Sequence, residues 1–254
     1  MGLHCLEDTS KVREIFAGWE DTCVWSCQQK VMGTILVTDT EAPKSAMAYV
    51  GCFAFCAGEP DRELLLGKPE GFFILVPENE AWCTAIEACF PDAKRATRYA
   101  IRKGTKFDRA VLTKYLETLP DGYELRRIDG ELYDLCLTDP ETASFVACFE
   151  SKEQFLDLGR GFVILKDGRI VSGASSYSRY LEGIEVEVDT VKEERQKGLA
   201  RICCAALILQ CLSEGLYPSW DAHNPISVHL AETLGYEFSH EYPAYEVELT
   251  CRTH

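Results

Sequence analysis

Three acidic residues follow one another at alternate positions in a short stretch of the chain. Glu185, Glu187 and Asp189 are separated by single valines within residues 184–191. Because successive side chains of a β-strand point to opposite faces, this spacing places the three carboxylates on one face. Neighbouring carboxylates raise one another's pKa and attract ammonium groups. The pattern indicates a general base acting on an amine; the alternative is a solvent-facing polar strand edge.

The loop after this strand leads directly into a long apolar helix. Residues 195–200 read Arg-Gln-Lys-Gly-Leu-Ala. A helix N-terminus offers unpaired backbone N–H groups and partial positive charge, which suit a pyrophosphate. Gly198 and Ala200 are small enough for close approach to the backbone, and Arg195 and Lys197 add positive charge. The Gly-Lys-Ser/Thr of a P-loop is not found here.

Strands and helices alternate along the whole chain, with a turn at Pro120-Asp-Gly. Predicted domains are therefore 1–120, an N-terminal α/β domain, and 121–254. In the first domain, strands are predicted at 34–38, 46–56, 71–77 and 97–102, and helices at 78–90 and 107–119. In the second, strands are predicted at 123–128, 162–165, 169–176, 184–191 and 217–221 with an extended segment at 237–249, and helices at 131–137, 142–156, 198–214 and 225–234.

Three blocks of the second domain resemble the GNAT (GCN5-related N-acetyltransferase) superfamily. Its motif A is Gln/Arg-x-x-Gly-x-Gly/Ala after a strand, and residues 184–200 fit this pattern. Residues 217–224 and 227–236 are similar to the bacterial branch that includes zwittermicin A resistance proteins, and residues 51–60 are like the N-terminal signature of that branch. The resemblance implies a mixed, mostly antiparallel twisted sheet flanked by helices, plus an N-terminal α/β domain.

The resemblance also implies acetyl-CoA as the acyl donor. Backbone groups of Val188 and Thr190 would pair with its pantetheine arm, beside a slot left by the splaying of strand 217–221. Backbone N–H groups from Gln196 to Arg201 would hold its pyrophosphate. Asn224 would lie near the cofactor, although Asn224 before Pro225 is also a good helix cap. The predicted cofactor-binding residues are Val188, Asp189, Thr190, Arg195, Gln196, Lys197, Gly198, Leu199, Ala200, Arg201, Asn224 and Ser227.

Many family members use a glutamate of this strand as base, directly or through a water molecule, which points to Glu185 or Glu187. The helical tyrosine that protonates the departing thiolate in many members is replaced by Ala231. Trp220 and Asp221 are candidate substrate contacts, with core packing as the alternative for Trp220. Substitutes for the absent acid are solvent or one of Tyr236, Tyr242, Tyr245, Ser227 and His229.

Composition and net charge limit the classes of molecule that the protein is expected to bind. The chain has 254 residues, a net charge of −15 and 13 cysteines. Its acidity favours a cationic small-molecule partner over nucleic acid or an anionic membrane, unless it serves only solubility.

An odd number of cysteines without a visible secretory signal favours reduced thiols and a cytoplasmic location. The His and Cys spacings suit no zinc site, so no metal is predicted. A basic run at 94–109 is interpreted as a solvated face. The oligomeric state is left open.

Two further hypotheses compete with the enzyme. The chain could be a catalytically weak or inactive acyl-CoA-binding module for regulation or interaction, which the alanine at 231 favours and the three carboxylates disfavour. Alternatively, residues 1–120 could be a degenerate copy of the same fold that shapes the acceptor pocket, although they contain no second motif A.

Overall fold

The computed structural model describes residues 2–67 and 71–249, in two compact units. The terminal unit comprises Met1–Arg98 and Glu241–His254, and the motif unit comprises Tyr99–His240. These units divide the chain at other positions than the predicted boundary after residue 120. Residues 109–116 form a helix whose Leu112 enters the core of the motif unit, so the turn at Pro120 marks a reversal of the chain rather than the end of a core.

The elements are numbered in chain order. The strands are β1 (His4–Cys5), β2 (Thr34–Val37), β3 (Ser45–Val50), β4 (Phe53–Gly58), β5 (Gly71–Pro77), β6 (Lys94–Ile101), β7 (Tyr123–Arg127), β8 (Gly161–Lys166), β9 (Arg169–Tyr180), β10 (Gly183–Thr190), β11 (Tyr217–Ser219), β12 (Asp221–Ala222) and β13 (Phe238–Leu249). The α-helices are α1 (Thr22–Gln28), α2 (Arg62–Leu66), α3 (Glu80–Cys89), α4 (Arg109–Leu116), α5 (Gly130–Cys136), α6 (Pro140–Ala143), α7 (Lys152–Leu158), α8 (Leu199–Ser213) and α9 (Pro225–Thr233).

In the motif unit, β7, β8, β9 and β10 pair antiparallel in that order, and β11 joins β10 in parallel. The long helix α8 packs on β8, β9, β10 and β11. The core between them contains Ile184, Val186, Leu207 and Trp220. The predicted mixed, mostly antiparallel sheet flanked by helices is confirmed.

In the terminal unit, β1 to β4 pair antiparallel in sequence order, β5 joins β4 in parallel, and β13 pairs antiparallel with β5. Trp82 of α3 and Tyr245 of β13 lie fully buried in its core. The part of the C-terminal strand from Glu241 onward therefore belongs to this unit, which the division into consecutive domains did not anticipate.

Both units run through the same order of elements. In each, an antiparallel three-strand meander (β2–β4 or β8–β10) is followed by a helix (α2 or α8) and a strand parallel to the last one (β5 or β11). A further helix, α3 or α9, follows. They differ at the first helix, because α2 has five residues and α8 has fifteen.

Three predicted elements are divided in the structure. The predicted strand 46–56 is the hairpin of β3 and β4, which turns at Gly51 with φ +58°. The predicted helix 142–156 is interrupted between α6 and α7, because the hydroxyl of Ser151 accepts a hydrogen bond from the Gln154 N–H and starts a new helix. The predicted strand 217–221 is split into β11 and β12, which pair with different strands.

Candidate active site

Strand β10 has a partner over only part of one edge. Its parallel pairing with β11 runs from Gly183 to Glu185, whereas its pairing with β9 continues to Thr190. Beyond Ser219 the chain turns away, and Asp221 pairs with β6. The second half of β10 therefore presents the backbone groups of a sheet edge, which can pair with an extended ligand.

The predicted carboxylates lie on the face of β10 opposite Ile184 and Val186, and their exposure increases along the strand. Glu185 is buried, Glu187 is half-buried and Asp189 is exposed. Asp189 Oδ1 accepts a hydrogen bond from the Thr190 N–H at 2.7 Å and lies 3.4 Å from Nη2 of Arg195. Asp189 is therefore engaged locally, which leaves the first two carboxylates as candidates for proton transfer.

A β-bulge adjoins these two glutamates. The register between β10 and β9 shifts between Glu185 and Val186, since Glu185 faces Ser178 and Val186 faces Ser176. Tyr177 is the extra residue. Bulges redirect side chains and are common beside active sites. Here the bulge lies at the level at which β11 stops pairing with β10.

Buried hydroxyls surround Glu185 at this level. Ser178 lies opposite it on β9, and Ser219 lies opposite it on β11; both serines are fully buried. The ammonium group of Lys103 donates a hydrogen bond to Ser219 Oγ at 2.6 Å. Tyr236 donates its hydroxyl proton to the Pro218 carbonyl oxygen at 2.7 Å, and burial raises the pKa of Tyr236 well above its usual value. Sequence reasoning did not predict Lys103 or Ser219, because their pairing joins distant parts of the chain.

The turn before α8 has two residues in the left-handed conformation, Gln196 with φ +64° and Gly198 with φ +78°. Gly198 is the N-cap of α8 and no side chain caps this helix. Each of the other eight described α-helices has a side chain that accepts a hydrogen bond from its first turn. The first N–H groups of α8 are thus left without a side-chain cap, as an anion site requires.

Two of the cations near this turn already have partners. Lys197 donates to Glu194 Oε2 at 2.7 Å, and Arg195 donates from Nε to the Thr190 carbonyl oxygen at 2.9 Å. Glu194 also accepts from Lys166 at 2.9 Å. Glu194 is thus shared by two lysines, so this group keeps one net positive charge, and Arg195 has the exposed Asp189 as its ion-pair partner at 3.4 Å.

Arg201 differs from these two cations. Its guanidinium lies over the ring of Tyr115, 4.6 Å from the ring centroid, and its Nε is buried without a hydrogen bond. No ion pair to it is found among residues 2–67 and 71–249. The sequence indicated Arg201 only through its backbone N–H, because Tyr115 is distant in the chain.

Comparison with known proteins identifies the chain. A family model described as GNAT acetyltransferase matches residues 13–245. The chain belongs to this family. A GCN5-related N-acetyltransferase-like protein from Streptococcus suis 89/1591 has a crystal structure that is 46% identical in sequence, with a TM-score of 0.90 over 96% of this chain and 99% of that one. A protein described as the uncharacterized N-acetyltransferase YdfB of Bacillus subtilis (strain 168) is 27% identical over 85% of this chain and 86% of its own.

A third comparison concerns the fold alone. A tandem GNAT protein from the clavulanic acid biosynthesis pathway is 11% identical, with a TM-score of 0.55 over 98% of this chain and 99% of that one. The family match and the 46% identical structure show that the protein is a GNAT acetyltransferase, and acetyl-CoA is the donor typical of its family.

Helix α9 of this GNAT acetyltransferase is capped as the sequence predicted. Asn224 Oδ1 accepts a hydrogen bond from the Ser227 N–H at 2.9 Å, with Pro225 at the first helical position. Ser227 Oγ in turn accepts from Trp220 Nε1 at 3.2 Å. Trp220 is almost fully buried and lies 5.5 Å from the ring of Tyr236, so its contacts here are those of core packing.

The structure also constrains the candidate acids. Ala231 is fully buried. Tyr242 and Tyr245 belong to the terminal unit, where Tyr245 donates its hydroxyl proton to Glu87 Oε1 at 2.6 Å. Cys203 and Cys204 are fully buried in α8, and burial raises the pKa of Cys203 to about 12, so neither thiol is a ready nucleophile.

Within the described residues, no three His, Cys, Asp or Glu side chains are grouped as a metal site would require. No helix among them is long and apolar enough to cross a bilayer.

Proposed function

We propose that the protein transfers the acetyl group of acetyl-CoA to a primary amine of a small molecule. The observation that carries the proposal is that the open edge of β10 leads, through one turn, to the uncapped N-terminus of α8. The open edge of β10 ends at Thr190, and the turn that follows leads to the uncapped N-terminus of α8. An extended amide chain that ends in a pyrophosphate fits such a path.

Backbone groups of Val188 and Thr190 pair with the pantetheine arm in this proposal. The Thr190 backbone already makes hydrogen bonds within the protein, since its N–H donates to Asp189 Oδ1 at 2.7 Å and its carbonyl oxygen accepts from Arg195 Nε at 2.9 Å, so the pantetheine arm would share or displace these two bonds. Backbone N–H groups of Gln196 to Arg201 hold the pyrophosphate, and the positive φ of Gly198 allows close approach without a side chain. Asn224 and Ser227 lie at the start of α9 as the remaining donor contacts.

Glu187 or Glu185 accepts the proton of the substrate ammonium. The neutral amine attacks the thioester carbonyl and the C–N bond forms; the nitrogen of the tetrahedral adduct gives its second proton to solvent, and the C–S bond breaks with departure of the thiolate. Glu187 is favoured as the direct base, because it is half-buried beside the open part of β10, whereas Glu185 is buried at its closed end. Because the methyl side chain of Ala231 has no acidic proton to donate, solvent protonates the CoA thiolate. No covalent enzyme intermediate is involved.

The acceptor in this proposal is a polar amine of the kind that the antibiotic-resistance branch suggests. Resemblance to zwittermicin A resistance proteins and the net charge of −15 both favour a cationic acceptor. Asp221 at the start of β12 is the candidate acceptor contact, and Trp220 supports it from the core. The cysteine content favours action in the cytoplasm, where thiols remain reduced.

An acetyl-transfer assay tests the proposal. Purified protein is incubated with acetyl-CoA and a panel of small amines that includes polyamines, aminoglycosides and amino acid amides, and thiol release is followed. Release that depends on one class of amine supports the proposal. Donor binding without release for any amine would instead favour an acyl-CoA-binding module, which the buried Ala231 would then explain.

A further inference from the structure

Glu194 joins three separate parts of the motif unit. Its carboxylate accepts hydrogen bonds from Tyr123 Oη at 2.5 Å, Lys166 Nζ at 2.9 Å and Lys197 Nζ at 2.7 Å. Tyr123 begins β7 and Lys166 ends β8, whereas Lys197 belongs to the turn before α8. The carboxylate therefore ties this turn to the edge of the sheet.

The cluster is compact and shielded. Glu194 is the last residue of a short 3₁₀ helix, Lys192–Glu194, and is only 9% exposed; Lys166 Nζ also lies 5.1 Å from the ring centroid of Tyr123. The hydrogen bonds from Lys197, Tyr123 and Lys166 lower the pKa of Glu194 to about 2. The neighbouring Glu193 is exposed, so the two adjacent glutamates have different surroundings.

The turn that Glu194 holds contains an unfavourable backbone conformation. Gln196 has φ +64°, in the left-handed region that is sterically unfavourable for a residue with a Cβ. Such a conformation persists where the surroundings fix it. Arg195 on one side is bonded to the Thr190 carbonyl oxygen, and Lys197 on the other side is bonded to Glu194. The side chains that flank Gln196 are thus both anchored.

Charge alone does not explain an acidic residue at this place. A carboxylate near a phosphate site repels the ligand and neutralises cations that would attract it. Glu194 therefore lowers the positive charge that Lys166 and Lys197 would offer a phosphate without it, and a geometric role accounts for its presence.

We propose that Glu194 is a positioning residue for the acyl donor: it fixes the turn so that the N–H groups before and in the first turn of α8 converge on one anion. This inference rests on the proposed function. In Glu194→Gln one acceptor oxygen is replaced by an N–H₂ donor that faces the donors of the cluster, so at least one of the hydrogen bonds is lost, the turn can rearrange, and donor binding weakens instead of strengthening.

Glu194→Gln and Glu193→Gln provide a matched pair, since each removes one negative charge from adjacent positions. Calorimetric titration with acetyl-CoA, steady-state kinetics with an amine identified by the acetyl-transfer assay, and hydrogen exchange of residues 191–201 are compared with the wild type. Glu194→Gln is expected to raise Kd and the donor KM by about tenfold or more, with kcat changed by about twofold at most. Exchange in the turn should become faster. Glu193→Gln should bind as tightly as the wild type or slightly more tightly.

Equal or tighter binding by Glu194→Gln would overturn the inference while the proposed function stands. Weaker binding with unchanged exchange would also overturn it, because the turn would then have kept its structure. A wild type that binds no acetyl-CoA would refute the proposed function, and the inference with it. Should Glu194→Gln fail to fold, Tyr123→Phe removes one of the three hydrogen bonds and is expected to raise Kd by about two- to fivefold.

Discussion

Glu185 and Ser219 face each other at the last position at which β10 and β11 pair. Beyond this pair, β10 continues for five residues along β9. The segment that follows β11 instead turns away and pairs with β6. The opening between the strands therefore begins directly beside a buried carboxylate. Glu187 is the next acidic residue along β10, and it lies beside the open part of the strand.

This arrangement separates the expected effects of the two glutamates. Glu187→Gln should lower kcat by about 10²–10⁴-fold, the range of a lost general base, while Kd for acetyl-CoA stays within about twofold. Steady-state kinetics and calorimetry measure the two quantities. Glu182→Gln, an exposed acid just before β10, is the control for loss of one negative charge. A Glu187→Gln enzyme with normal kcat but a Glu185→Gln enzyme without activity would assign the base to Glu185.

Arg201 is expected to contact a phosphate of the donor through its side chain. Its guanidinium stacks on Tyr115 and has no ion pair in the described part of the chain. Arg201→Gln should raise Kd for CoA by about tenfold, since hydrogen bonds to charged groups contribute about 1.5–3 kcal/mol. Titration with dephospho-CoA distinguishes the two phosphate groups.

If the 3′-phosphate is the partner, wild type and Arg201→Gln bind dephospho-CoA equally well. If the pyrophosphate is the partner, the variant loses affinity for both ligands to the same extent. Unchanged affinity of the variant for CoA itself would show that the side chain makes no contact with the donor.

The Glu194 cluster predicts a pH dependence of stability. The pKa of Glu194 is lowered from 4.5 to about 2, so folding favours its ionised form. The stabilisation is complete above about pH 4.5 and is lost as the pH falls toward 2. The free energy of unfolding, measured in denaturant at several pH values, should therefore fall less steeply below pH 4.5 for Glu194→Gln than for the wild type. Parallel pH profiles of the two proteins would exclude this coupling.

The residues of the candidate site were largely predictable because they lie in one continuous stretch. The alternation of Glu185 and Glu187 with valines predicted a strand with one acidic face, and Gly198 predicted an open helix start. Both patterns depend only on residues that are neighbours in the sequence, so tertiary contacts do not change them. The parallel pairing that stops at Glu185 was expected only from resemblance, since no local signal marks it.

Contacts between distant residues were not predictable in the same way. Lys103 with Ser219 and Tyr123 with Glu194 join residues more than 70 positions apart, and neither pair has a spacing that would reveal it. The place of β13 in the terminal unit is a similar case, because its sequence predicts an extended segment but not its neighbour β5.

The acyl-donor site is tested most directly by the two glycines that flank α8. Gly198 with φ +78° precedes the helix and Gly215 with φ +73° follows it, and a Cβ at Gly215 meets no atom within 4 Å. Gly198→Glu and Gly215→Glu thus introduce the same charge and a similar backbone strain at opposite ends of one helix. Calorimetric titration of both variants and the wild type with acetyl-CoA is the decisive measurement. The account predicts saturable binding by the wild type and Gly215→Glu and its loss in Gly198→Glu; equal binding by both variants, or none by the wild type, would contradict it.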